Sequence, residues 1–259
     1  MKLDNQKLAL EQLKLLAASG QHSILLAGPQ GVGKTYLTRQ YADMLHCINF
    51  ISVEPKVSYI RDTIQTSFDA CDNVVICIEN LDQGVAGAAY SLLKFLEEPS
   101  PYIYIVVTCR DLQHIPDTII SRCAVANVSM PTKSDLHSYL LDKYADQSLR
   151  IENSPLYSCL TTFGDIDTVV DYTDSQLDYI MSTSKNLSKQ DSISTLMWKL
   201  QKFEDGTPTP VELTLRYILH TAESSIRQIA YECLQDLASG RVASHAVVAK
   251  FLFDYKYAI

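Results

Sequence analysis

Eight consecutive residues, Gly28-Pro29-Gln30-Gly31-Val32-Gly33-Lys34-Thr35, match the pattern G-x-x-x-x-G-K-[ST]. They lie between an apolar run and a helical one. Glycines let backbone N–H groups turn inward around phosphate oxygens, and the helix that follows offers the positive end of its dipole to the same charge. Lys34 is expected to reach the β- and γ-phosphates and Thr35 to ligate Mg²⁺. The chemistry implied is nucleotide binding, with ATP and Mg²⁺ as the expected cofactors.

A nucleotide hydrolase also needs an acid at the end of a buried strand to hold Mg²⁺, and a base to position water. Val74 to Ile78 reads as that strand, and Glu79-Asn80-Leu81-Asp82 follows it where Asp-Glu would be usual. Glu79 is one methylene longer than Asp and can still serve the metal. Asn80 is different in kind, because an amide does not take a proton from water. Two registers stay open. In one, Glu79 is the metal acid and Asn80 stands where the base should be; in the other, Glu79 is the base and Ile78 the lost acid. Either leaves the acidic pair incomplete.

These residues must be held by a sheet. The runs Ser23 to Ala27, Phe50 to Val53, Val74 to Ile78, Tyr102 to Thr108 and Ala124 to Val128 read as strands. Their continuous apolar character predicts a parallel sheet covered on both faces. Helices are expected at Lys34 to Leu45, Ser58 to Phe68 and Ala86 to Leu96, with a short turn near Pro116 to Ser121. Past Pro131 strand signals stop. Ser134 is expected to cap a helix with Leu136, Tyr139, Leu140 and Tyr144 on its apolar face. Gly164 and Asp165 mark a further helix start, and the polar tract Ser182 to Gln190 a boundary. Helices at Ile193 to Phe203, Leu213 to His220, Ser224 to Leu237 and Ser244 to Tyr255 follow, with a turn at Asp205 to Pro210.

Several stretches together resemble the AAA+ subunits of DNA-polymerase clamp loaders. They are GPQGVGKT, the IRD of Ile60 to Asp62, SLLKFLEEPSP (Ser91 to Pro101) and TIISRC (Thr118 to Cys123). The likeness is to the bacterial gamma and delta-prime subunits and, more loosely, to the small subunits of replication factor C. It covers residues 7 to about 180. It implies an α/β fold: a P-loop AAA+ core with a parallel five-stranded sheet at 1–130, a helical lid at 131–184 and a helical collar at 185–259. Counting back from LEEP, it places Glu79 on the metal acid and Asn80 on the catalytic glutamate. Arg122 matches the arginine finger given to a neighbouring subunit, an ordinary surface salt bridge being its other reading, and Arg110 falls on the first sensor position, as in some delta-prime chains that do not hydrolyse ATP. Asp167 falls where the second sensor would be Arg. Arg61 and Lys94 take positions that face DNA, although a solvated charge or a Lys94 pair with Glu97 or Glu98 is an equal reading.

The resemblance implies other clamp-loader subunits, a sliding clamp and primer-template DNA as partners, in an assembly expected to be pentameric. The zinc module of bacterial relatives is missing, since only Cys47 and Cys71 lie in that interval. A scaffold subunit with a vestigial ATP site and a protein-remodelling AAA+ regulator are the alternatives.

Composition bounds these readings. The chain of 259 residues, at roughly 150 per domain, makes about 1.7 domains. Hydrophobic residues at 47% exclude a disordered or fibrous chain. A net charge of −8 excludes a basic nucleic-acid coat, so any DNA contact is local. The 7 cysteines are scattered and are expected to be reduced thiols, and the 6 histidines are too dispersed for a metal site. No run reaches the roughly 18 apolar residues of a membrane span, so a soluble, cytoplasmic protein without membrane partners is expected. Phe251, Phe253, Tyr255 and Tyr257 read as helical core, or as anchors for sister subunits.

Overall fold

The computed structural model describes residues 4–67, 71–185, 187, 191–203, 206–239 and 242–257. The expected helix end at Phe68, the end of the boundary tract at 188–190 and the start of the turn at Asp205 lie outside them. The chain divides into two compact units. One runs to Tyr139 and includes Thr162–Gly164; the other is Leu140–Thr161 with Asp165 onward.

The first unit is an α/β sandwich. Strands β1 (Ser23–Ala27), β2 (Asn49–Val53), β3 (Val74–Ile78), β4 (Ile103–Cys109) and β5 (Ala124–Asn127) form one parallel sheet in the order β2-β3-β4-β1-β5. Every residue of β1, β3 and β4 is buried, as uninterrupted apolar runs require of central strands. The period of two then deals their side chains to opposite faces. Leu25, Ile76, Ile78, Ile105 and Val107 pack with Ile60 and Ile64 of α3 (Val57–Ser67), Leu92 and Leu96 of α4 (Ala86–Glu97) and Ile119 of α5 (Asp117–Ile120). Ile24, Leu26, Val75, Val106 and Ala126 pack instead with Leu13 of α1 (Asp4–Ala18) and with Leu37 and Tyr41 of α2 (Lys34–Met44). Burying one such aliphatic side chain is worth about 1.5–3 kcal/mol, so both faces hold the sheet rigid under the loops at its ends.

The expected cap at Ser134 is corrected. Helix α6 runs Lys133–Lys143, and Thr132 caps it: its hydroxyl accepts from Asp135 N–H at 3.2 Å, while Asp135 Oδ2 accepts from Thr132 N–H at 2.8 Å. This reciprocal box satisfies two orphan donors at once, which Ser134, already inside the helix, could not do.

The second unit is helical. It contains α7 (Ser148–Glu152), α8 (Phe163–Val170, from its third residue), α9 (Asp174–Lys185), α10 (Ile193–Gln201), α11 (Val211–Thr221), α12 (Ser224–Ala238) and α13 (Ser244–Tyr257). Leu196, Leu200, Leu215, Ile218, Cys233, Val248 and Leu252 form a shared core. Phe251 and Tyr255 belong to that core, whereas Phe253 and Tyr257 are exposed and pack on each other with ring centroids 4.8 Å apart. The four aromatics therefore split between two faces of α13, because residues four apart share a face and residues two apart do not.

Candidate nucleotide-binding site

The strand order places the ends of β3, β4 and β1 side by side, and the loops leaving them carry the polar residues. Ligands of open α/β sheets bind at this carboxyl edge. Gly28 leaves β1 so close to the segment following β5 that a Cβ would stand 2.4 Å from the Val128 carbonyl oxygen. Gly33, with φ of 92°, turns the loop through the left-handed region into α2. Gln6 of α1, itself buried, donates to the Val32 carbonyl at 3.1 Å and braces the loop from behind.

Lys34 lies inside the loop it follows. Its Nζ donates to the carbonyls of Gly28 at 2.6 Å and Pro29 at 2.8 Å, with only 7% of the residue exposed. Burial holds its pKa below the ordinary lysine value, with the nearby Cys109 and Asp82 opposing that shift and Arg110 adding to it. The Cys109 thiol is itself pushed up to about 12 by burial, so it is neutral beside the lysine.

One carboxylate oxygen gathers two hydroxyls. Glu79 Oε1 accepts from Ser52 Oγ at 2.7 Å and lies 3.4 Å from Thr35 Oγ1. The hydroxyl and carboxylate of Thr35 and Glu79 are hard oxygen donors, the set that suits Mg²⁺ when one or two protein groups share it with phosphates and water. Ile78, by contrast, is fully buried in the core under α3 and α4. Asn80 has φ of 48° and ψ of 54°, and its N–H donates to Thr108 Oγ1 at 2.9 Å. Among non-glycine residues Asn tolerates this left-handed backbone best.

Arg110, at the end of β4, is held on several sides. Its N–H donates to Asp82 Oδ1 at 3.2 Å and its Nη2 to Gln30 Oε1 of the loop. The Gln83 amide, turned so that its oxygen faces the guanidinium, accepts from Nε at 2.7 Å and Nη2 at 2.6 Å. Asp82, Gln83, Thr108, Ser52 and Gln6 escaped the sequence reading. Asp82 and Gln83 come three and four residues after Glu79 and carried a local signal; Gln6 and Ser52 meet the site only through folding.

The other expected residues lie elsewhere. Arg122, between α5 and β5, pairs with Glu97 at the end of α4. Arg61 on α3 and Lys94 on α4 are both exposed and have no ion pair among the described residues, so the alternative Lys94 pairing with Glu97 or Glu98 is not made. These two helices pack together, with Gly87 leaving a Cβ-sized approach of 3.3 Å to Val57. In the helical unit, Asp167 accepts from Lys143 Nζ at 3.0 Å and Tyr144 Oη at 2.9 Å. None of the seven cysteines is in a disulfide. No helix among the described residues is long and apolar enough to cross a membrane.

Residues 49–132 match the family model described as DNA polymerase III, delta subunit, and residues 2–59 match that of magnesium chelatase subunit ChlI. The DNA polymerase III subunit delta-prime of Haemophilus influenzae is 32% identical over 172 residues, 54% of this chain and 51% of that protein. The tau/gamma subunit of the same organism is 24% identical over 165 residues, 52% of this chain and 24% of that one. The matched stretch thus spans about a quarter to a half of these relatives. Among solved structures, a DNA polymerase III gamma subunit-related protein from Thermotoga maritima superposes with a TM-score of 0.57 at 16% identity, covering 95% of this chain and 98% of its own. The RuvB Holliday junction branch migration motor of Thermotoga maritima superposes at 0.52 and 14% identity, covering 96% and 81%. At such identity these two likenesses bear on the fold, and the fold they share is that of AAA+ proteins.

Proposed function

We propose that this chain, a relative of the AAA+ clamp-loader subunits gamma, tau and delta-prime of DNA polymerase III, is an ATP-binding clamp-loader subunit with weak or absent hydrolysis of its own. It helps place a sliding clamp on primed DNA and gives Arg122 to a neighbouring subunit. The observation that carries this reading is the meeting of Lys34, Thr35 and Glu79 at one sheet edge, with an amide at the next position.

The residues divide the work as follows. The backbone N–H groups of Gly31 to Lys34 cradle phosphate, and Lys34 exchanges its two loop carbonyls for phosphate oxygens. Thr35 and Glu79 would hold Mg²⁺, which would supply positive charge to offset that of the phosphates. The burial of Ile78 supports the register in which Glu79 is the metal acid. Asn80 orients water at most, because its amide is no base. Arg110, tethered to Gln30 and Gln83, brings a cation to the outer end of the phosphate chain. Arg61 and Lys94, exposed on adjacent helices, contribute the local positive charge for DNA that a chain of net −8 needs.

Equilibrium binding of ATP with Mg²⁺, measured beside steady-state turnover of the purified chain, tests this. Binding that Lys34→Ala abolishes, with slow turnover, is expected. A vestigial site is the second reading, favoured by the way Lys34 fills its own loop, and absence of binding would establish it. Native mass measurement with candidate partners should give a pentamer, whereas a homohexamer of this chain would point to a remodelling machine.

A further inference from the structure

Glu79 stands where a shorter acid is usual, and a Glu side chain has an extra rotatable bond whose freedom must be removed before its carboxylate can hold a position. The sheet supplies a restraint for it. β2 and β3 pair in parallel with Ser52 opposite Cys77 and Val53 opposite Ile78, and the ladder continues with Glu79 N–H donating to the Val53 carbonyl at 3.0 Å. Glu79 therefore leaves β3 alongside the end of β2. There the Ser52 hydroxyl, on the exposed side of this edge strand, donates to Glu79 Oε1 at 2.7 Å.

We infer that Ser52 is a positioning residue for the metal acid: its hydroxyl anchors Oε1 of Glu79 beside Thr35 and leaves Oε2 to face the metal of a bound Mg-nucleotide. The inference rests on the reading that this site takes ATP with Mg²⁺. A serine hydroxyl has one hydrogen bond to donate, and Glu79 Oε1 accepts it. Partners that orient metal ligands are typically worth about 10–100-fold in metal affinity. The bond here is made by an exposed neutral donor, which puts the expected effect at the low end of that range.

Magnesium titrations of ATP binding by the full chain, with an EDTA arm, test the inference. In the wild type, Mg²⁺ should strengthen ATP binding. Ser52→Ala should raise the Mg²⁺ concentration for half-maximal effect about tenfold while leaving ATP affinity in EDTA unchanged, and Ser52→Thr should restore it. Glu79→Asp, too short to keep the bond, should lose Mg²⁺ affinity, and Ser52→Ala added to it should cost nothing further, as coupled positions require. An unchanged Mg²⁺ titration in Ser52→Ala overturns the positioning role while the nucleotide reading stands. Equal losses with and without Mg²⁺ also overturn it, since they mark a merely structural residue. A wild type that binds no ATP overturns the reading beneath both.

Discussion

Arg122 gives two of its nitrogens to a single oxygen: Nε and Nη2 donate to Glu97 Oε1 at 2.9 and 2.5 Å. Nη1 donates to the Thr118 carbonyl at 2.7 Å. A guanidinium has five N–H groups; the carboxylate and carbonyl take three, Nη1 also reaches Ser121 Oγ at 3.5 Å, and a third of the side chain stays exposed. Glu97 thus fixes the direction of Arg122 without consuming it. Both side chains are open to water, where such a pair is worth about 0–1 kcal/mol. Glu97→Gln should accordingly lower stability by less than about 1 kcal/mol in urea unfolding. Arg122→Ala should leave this chain's ATP affinity intact and lower turnover of the assembled complex by about a thousandfold, the lower end of what a finger supplies. Equal turnover in wild-type and mutant assemblies would remove Arg122 from that role.

Asn80 sits in the left-handed region between the buried strand β3 and the turn at Leu81–Gln83. Glycine pays nothing for that backbone and longer side chains pay about 1–2 kcal/mol. Asn80→Gly should therefore be neutral or slightly stabilising, and Asn80→Glu should cost about 1 kcal/mol while raising the intrinsic turnover by supplying the missing base. Ile78→Asp, which buries a carboxylate in the sheet core, should destabilise the chain by several kcal/mol and yield no turnover. A gain from Ile78→Asp without one from Asn80→Glu would restore the other register.

The parts of this site that the sequence made legible are those whose signal is local. The loop from Gly28 to Thr35 carries its own spacing, and β1, β3 and β4 announce their burial through unbroken apolar runs. Ser52 and Gln6 have no such signal. Each meets its partner, Glu79 or Val32, across 26 or 27 residues of chain, and the meeting depends on strand register and on which face α1 covers. Ser134 and Thr132 were equally plausible caps by residue type, and only the reciprocal bond with Asp135 separates them. The split of Phe251 and Tyr255 from Phe253 and Tyr257 was written in their spacing but needed the core of α10–α12 to decide which pair turned inward.

Arg216 of α11 ties two helices of the second unit. Nη1 donates to Asp165 Oδ2 at 2.6 Å and Nη2 to Glu212. Asp165 also accepts from Thr161 N–H at 2.8 Å at the start of α8. Both side chains are about five-sixths buried, at 16% and 17% exposure, so removing one leaves the other charge poorly solvated. Arg216→Ala should cost about 2–3 kcal/mol in denaturant unfolding. Arg216→Lys, which keeps the charge but not the fork, should recover less than half of it. A loss below about 0.5 kcal/mol in Arg216→Ala would place this pair with the weak surface bridges.

Lys34 gives binding and stability opposite responses to pH. Burial lowers its pKa in the folded chain from the ordinary lysine value of 10.5, so between the lowered value and 10.5 the unfolded chain binds more protons than the folded one. Stability then rises with pH through that window. Lys34→Met should flatten this rise, and the difference between the two proteins isolates Lys34 from Lys56 and Lys250, whose pKa values are raised by their carboxylate partners. ATP affinity should run the other way, since only the protonated amine pairs with phosphate. It should be full below the lowered pKa and fall by up to about tenfold per pH unit above it, one proton being taken up on binding. Cys77, Cys109 and Cys123, each pushed up to about 12, are silent in that range. Calorimetric titrations in buffers of different ionisation heat, from pH 7 to 10, read the proton directly; no uptake anywhere in the range would show that Lys34 keeps its charge in the closed loop.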